Sequence, residues 1–133
     1  MALKIDLIPA RGFVRVTPQG EFDFSSSRKL LGEVFEVGQS LWEHEILVDC
    51  RHTRCDLSDT DIWQLAAECG QHRNAIRNKI AILVNPEDKF DKAEFFALCA
   101  RNQHVLVQAV TTTDEAIEWL FPSCKVELET LSV

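Results

Sequence analysis

The residues with the greatest chemical potential fall in one short stretch, Asp49-Cys50-Arg51-His52 and the loop that runs on to Asp61. Thiolate and imidazole suit zinc, so Cys50, His52 and Cys55 are candidate metal ligands. A weaker alternative reads Cys55 with His52 as a nucleophile and its base. Neither set is complete. No second cluster completes four metal ligands, and no pattern supplies an oxyanion hole or a third group to orient the base. Cys50 ends an apolar run, where a thiol packs as a small hydrophobe. The expectation is no metal, no cofactor and no catalytic residue.

Asp56, Asp59 and Asp61 form an acidic run around Ser58 and Thr60. Ser58 and Asp61 have the spacing of a capping box, and acids in a first helical turn complement the helix dipole. The run lacks the glycine and closing glutamate of a calcium loop. Glu87 and Asp88 read the same way. Trp63 and Trp119 read as packing residues rather than ligand platforms. The phosphate-binding and nucleophile-elbow patterns GxGxxG, GxxxxGK[ST] and GxSxG are absent.

These residues need elements to position them, and the apolar pattern alternates between two periods. Leu3, Ile5 and Leu7 have the period of a half-buried strand. Phe13 to Thr17 is a second strand, ended by the Pro18 and Gly20 region, and the pair is expected to form an antiparallel edge hairpin. Leu30, Leu31, Val34, Val37, Gly38, Leu41 and Trp42 form a helical stripe, with Asp23 and Ser25 to Ser27 as candidate caps. Glu45 to Cys50 is a buried strand. A polar loop follows, then a helix with Ile62, Leu65, Ala66, Cys69 and Ile76 on one face. Lys79 to Val84 is a strand stopped by Asn85-Pro86. A third helix runs from about Asp88 to Ala100, with Phe90, Ala93, Ala97 and Ala100 on one side and Phe95 and Leu98 off that stripe. His104 to Val110 is a strand, and Thr112 with Glu115 opens a last helix, stopped by Pro122. Lys125 to Val133 alternates weakly and reads as an edge strand or a frayed end.

The order is β-β-α-β-α-β-α-β-α plus a tail. Strands alternating with helices predict an α/β fold with a mixed, mostly parallel sheet, an N-terminal antiparallel hairpin and about four helices. Ligands of such sheets sit beyond the C-terminal strand ends. That places Asp49 to Asp61, Asn85 to Asp88 and Thr111 to Thr113 on one polar rim.

A chain of 133 residues fits one domain, residues 1–133, with its core at about 12–121 and a tail at 122–133. The formal net charge of -7 argues against nucleic acid and against an anionic membrane surface. No apolar stretch approaches the ~20 residues of a membrane span. Lys4 and Asp6 interrupt any export signal, and no pair among the five cysteines shows a CxxC spacing. A cytoplasmic protein with reduced thiols is expected.

Gly20-Glu21-Phe22-Asp23 after a hairpin, and Ile46-Leu47-Val48-Asp49-Cys50 before a Ser/Asp/Thr-rich helix start, resemble the STAS domain. This is the fold of bacterial anti-sigma-factor antagonists and of the cytoplasmic ends of sulfate transporters. The downstream half resembles a bacterial STAS-like subgroup, through Ile80 to Val84, Phe90 to Phe96, Asn102 to Val107 and Glu115-Ala116 with Trp119-Leu120. The resemblance implies a non-enzymatic regulatory module. It would dock a partner protein, such as a regulatory kinase or an anti-sigma-like factor, through Asp49, Arg51, His52, Ser58, Asp59 and Thr60. In the antagonists a serine at this helix start is phosphorylated within an acid, two serines and a glycine. Here Ser58 or Thr60 could take that part, the glycine is missing, and Asp59 could occupy the position as a weaker permanent phosphate. Related folds also suggest a second reading, a binder of small hydrophobic ligands or lipids with a pocket lined by Phe90, Phe95, Phe96 and Trp119. The apolar residues there, Leu98 included, could instead simply pack or bury a homodimer face.

Overall fold

A computed structural model describes residues 2–8, 12–87 and 90–122. The expected hairpin is β1 (Ala2–Ile8) against β2 (Phe13–Phe22), paired antiparallel from Ala2 opposite Gln19 to Ile8 opposite Phe13. Next come α1 (Phe24–Ser40), β3 (Glu45–Asp49), β4 (Thr53–Cys55), α2 (Asp59–Gly70), β5 (Ile80–Leu83), α3 (Phe90–Asn102), β6 (Val107–Val110) and α4 (Thr113–Leu120). The strands form a sheet in the order β1-β2-β3-β5-β6, parallel from β2 onward, with β4 added to β2.

Strand alternation assigns side chains to two layers. Val14, Val16, Ile46, Val48, Ile80, Val107 and Ala109 face one way and pack with α1 and α3 residues such as Val34, Phe35, Ala97 and Ala100. Phe13, Leu47, Ala81, Leu83 and Val110 face the other way, under Ala116 and Leu120 of α4. A third cluster, Leu57, Ile62 and Leu65, joins α2 to Phe95 and Phe96 of α3.

Several sequence expectations need correction. β2 does not stop at Pro18 and Gly20. Its β3 pairing covers Phe13 to Val16 and its β4 pairing covers Gly20 to Phe22, so Pro18 sits in a gap on that side, where no ladder bond requires its missing N–H. Gly20, at φ 106°, supplies the backbone freedom to continue. The polar loop after β3 contains β4, which is too short to show a period. Trp42 is 72% exposed, because α1 ends at Ser40 before the stripe reaches it. α2 ends at Gly70, so Ile76 is buried but not helical. The last strand begins at Val107 because His104, at φ 67°, belongs to the turn that closes α3. Ile5 and Leu7 are 47% and 50% exposed, so β1 is less covered than its alternation predicts. Residues 123–133, including the alternating tail, lie outside the described residues, as does Asp88.

Candidate functional site

The loop from Asp49 to Ser58 is anchored at several points. Asp49 ends β3 on the same face as Leu47 and is 0% exposed. A buried carboxylate must be matched by charge and hydrogen bonds. Arg15 Nη2 donates to Oδ2 at 2.6 Å. Arg51 donates from Nη2 to Oδ2 at 2.8 Å, and from Nε and its backbone amide to Oδ1 at 2.9 and 3.1 Å. Burial pushes the carboxyl up, but the Arg51 and Arg15 hydrogen bonds more than offset it and hold the group well below the usual carboxylate range. The Arg51 carbonyl accepts from Asn85 Nδ2 at 3.2 Å, tying this loop to the one after β5. Asp49 and Arg51 therefore act as posts that hold the loop.

Beyond the posts, the Cys50 carbonyl accepts from Thr53 Oγ1 at 2.7 Å, and Gly20 N–H donates to the His52 carbonyl at 3.3 Å. The His52 side chain is exposed, whereas Cys50 and Cys55 line an apolar cleft. Cys55 Sγ meets Thr53 Oγ1 at 3.9 Å. Among the described residues, no group of three His, Cys, Asp or Glu is placed to hold a metal ion.

Ser58 is the N-cap of α2. Its Oγ accepts from Asp61 N–H at 3.1 Å, while Asp61 Oδ2 accepts from Ser58 N–H at 3.1 Å. This is the capping box expected from the spacing. Leu57, just before it, is buried, and its carbonyl accepts from Lys92 Nζ of α3. The chain therefore enters α2 from a pinned position. Ile62, Leu65, Ala66 and Cys69 then turn inward, which leaves Asp59, Thr60, Trp63 and Gln64 exposed on the outer side. Trp63 is 58% exposed, not a core residue as its type suggests. It falls off the Ile62-Leu65-Ala66-Cys69 stripe, and that spacing is the signal by which the sequence could have revealed it.

The structure does not bring the four aromatic candidates to one pocket. Phe90 joins the core beneath α1 and α3, and Phe95 packs on the Leu57 cluster. Phe96 also lines the cleft between α1, α2 and α3. Trp119 lies across the sheet with the α4 cluster, and Lys79 Nζ stands 5.6 Å from its ring centre. The cleft holds about 200 Å³, below the ~300–1,000 Å³ of ordinary ligand pockets.

The overall fold matches solved structures. The anti-sigma factor antagonist SpoIIAA, in its unphosphorylated form, superposes with a TM-score of 0.50 at 15% identity, over 88% of this chain and 96% of that one. A Shewanella loihica PV-4 protein of the DUF3478 family, with a SpoIIAA-like fold, superposes with a TM-score of 0.55 at 14% identity, over 90% and 92%. The chain has a STAS-like fold. No family model and no curated protein matches it in sequence. Among the described residues, no helix of this STAS-like domain is long and apolar enough to cross a membrane.

Proposed function

We propose that this STAS-like domain is a non-enzymatic regulatory module that docks a partner protein through the loop after Asp49 and the outer face of α2. The observation that carries this reading is the exposed stripe Asp59, Thr60, Trp63 and Gln64, displayed beside a loop pinned by the ion pairs of the buried Asp49. Exposed tryptophan is enriched among residues that dominate binding energy, and a rigid display lowers the ordering cost of binding. Asp59 in the stripe and Asp56 in the preceding loop are both exposed acids, so the complementary partner surface would be basic around an apolar socket. Ser58 and Thr60 lie at the same place. A phosphate on Ser58 would meet Asp59 and Asp61, so the face works as an acidic surface without modification.

The test is affinity capture from an extract of the encoding organism, with Trp63→Ala and Asp59→Lys beside the wild type. A partner retained by the wild type, lost by both variants and kept by Leu98→Ala supports the reading. Equal retention by all four proteins refutes the surface. Turnover of a substrate by the purified chain, abolished by Ser58→Ala, refutes the non-enzymatic role.

A further inference from the structure

The two edges of the sheet are finished differently. On the β6 edge, Arg101 Nη1 donates to the Val107 carbonyl at 3.0 Å and to Gln108 Oε1 at 2.8 Å. A charged side chain folded over an edge strand blocks its use as a template. Among the described residues, β1 has no strand on its outer side. It runs seven residues without proline. Ile5 and Leu7 stand across from Val16 and Val14, on the α1 side of the sheet, and α1 leaves them half uncovered.

Charge on an edge strand usually deters pairing. Here the charges are of opposite sign and symmetric, since Lys4 and Asp6 flank Ile5. If two β1 strands pair antiparallel about a two-fold axis at Ile5, Lys4 of each copy falls opposite Asp6 of the other. A slip of two residues one way sets Lys4 on Lys4, and the other way Asp6 on Asp6. A parallel in-register pairing makes both like-charge contacts. A one-residue slip breaks the match of faces. One register is therefore complementary and its neighbours are repulsive. Within a single chain Lys4 Nζ and Asp6 Oδ2 are 3.9 Å apart and both exposed, a loose pair that is readily exchanged.

We infer that β1 is a homodimerisation edge. Two chains join antiparallel at Ile5 into one continuous sheet, the Lys4 and Asp6 pairs set the register, and Ile5 and Leu7 are covered at the seam. The interface is isologous, as a two-fold dimer requires.

Sedimentation equilibrium on the full chain, from micromolar to millimolar concentration, tests this. The wild type should associate reversibly to a dimer. Lys4→Glu and Asp6→Lys each place like charges across the seam twice and should weaken dimerisation about tenfold or more. The double variant Lys4→Glu/Asp6→Lys restores opposite signs and should regain association, which separates a lost interface from a damaged fold. Amide exchange in β1 should slow as concentration rises. A wild type that stays monomeric throughout overturns the proposal, as do single variants that dimerise like the wild type or a double variant no tighter than the singles. β1 amides protected equally at every concentration would mean that residues 123–133 or another segment of the same chain covers the edge, and this too overturns it.

Discussion

Replacing Asp49 with Asn removes one buried charge while keeping the side chain's shape. The carboxylate accepts four hydrogen bonds, from Arg15 Nη2 at 2.6 Å, Arg51 Nη2 at 2.8 Å, Arg51 Nε at 2.9 Å and the Arg51 amide at 3.1 Å. Asn can keep about half of these, and its NH2 group would face guanidinium donors. Removing one partner of a buried ion pair costs about 3–5 kcal/mol. Both arginines keep roughly a third of their side chains in solvent, which takes up part of that loss. We expect a loss of about 2–3 kcal/mol at neutral pH. A domain of this length should then melt about 6–15 °C lower.

The pH dependence fixes the cause. The folded-state pKa of Asp49 is depressed, so its contribution is complete above the unfolded value and is lost as pH falls toward the folded one. Between about pH 3.9 and that lower value, the wild type should lose roughly 1.4 kcal/mol per pH unit from this group. Asp49→Asn has no such group, so the gap between the two proteins should narrow under acid. Urea unfolding followed by tryptophan fluorescence, at pH 7 and stepwise to pH 3, measures both quantities. A gap under ~0.5 kcal/mol at pH 7 would refute the reasoning, since that is the size of an ordinary surface change. So would a gap that stays constant in acid.

Three further outcomes are expected. Ser58→Ala should cost about 1 kcal/mol in the same urea assay, because it removes the acceptor for Asp61 N–H, whereas Ser58→Asp should stay within about 0.5 kcal/mol of the wild type. In α1, Gly32→Ala and Gly38→Ala should have opposite signs. A Cβ at Gly32 meets nothing within 4 Å and should stabilise by about 0.5–1 kcal/mol. At Gly38 a Cβ would meet Asn78 Oδ1 at 2.9 Å and Ile46 Cδ1 at 3.2 Å, so overpacking should outweigh propensity and destabilise by about 1–2 kcal/mol net. The Cys69 thiol is buried and pushed up to about 12, so under native conditions near pH 8 it should resist an alkylating reagent and react only after unfolding, as mass spectrometry would show.

The long periodic segments made most of the fold legible. Ile46 to Val48 and Ile80 to Leu83 read as buried strands because nearly every position is apolar, and both occupy the sheet centre. The caps at Asp23, Ser58 and Thr112 were readable because each needs only a side-chain oxygen at a fixed offset from an amide. Short and backbone-governed features were not readable. β4 has three residues, too few for a period to emerge, and exists because β2 continues past β3 and offers it an edge. The start of β6 depended on a left-handed His104, which no apolar pattern encodes.

The contacts within the candidate site were only partly legible. The sequence placed Asp49, Arg51, Ser58 and Thr60 in one region but could not show that Asp49 is matched from a different strand. Arg15 lies 34 positions earlier and reaches Asp49 because β2 pairs with β3 and both side chains take the same face of the sheet. That contact makes Asp49 an anchor. The surface proposed for a partner follows from the turn of α2. Once Ile62, Leu65 and Cys69 commit inward, a 3.6-residue period forces Asp59, Trp63 and Gln64 outward together. With 58% of its surface in water, Trp63 forgoes about half of the ~1.5–3 kcal/mol that full burial of a large apolar side chain supplies, and docking a partner there would recover that part.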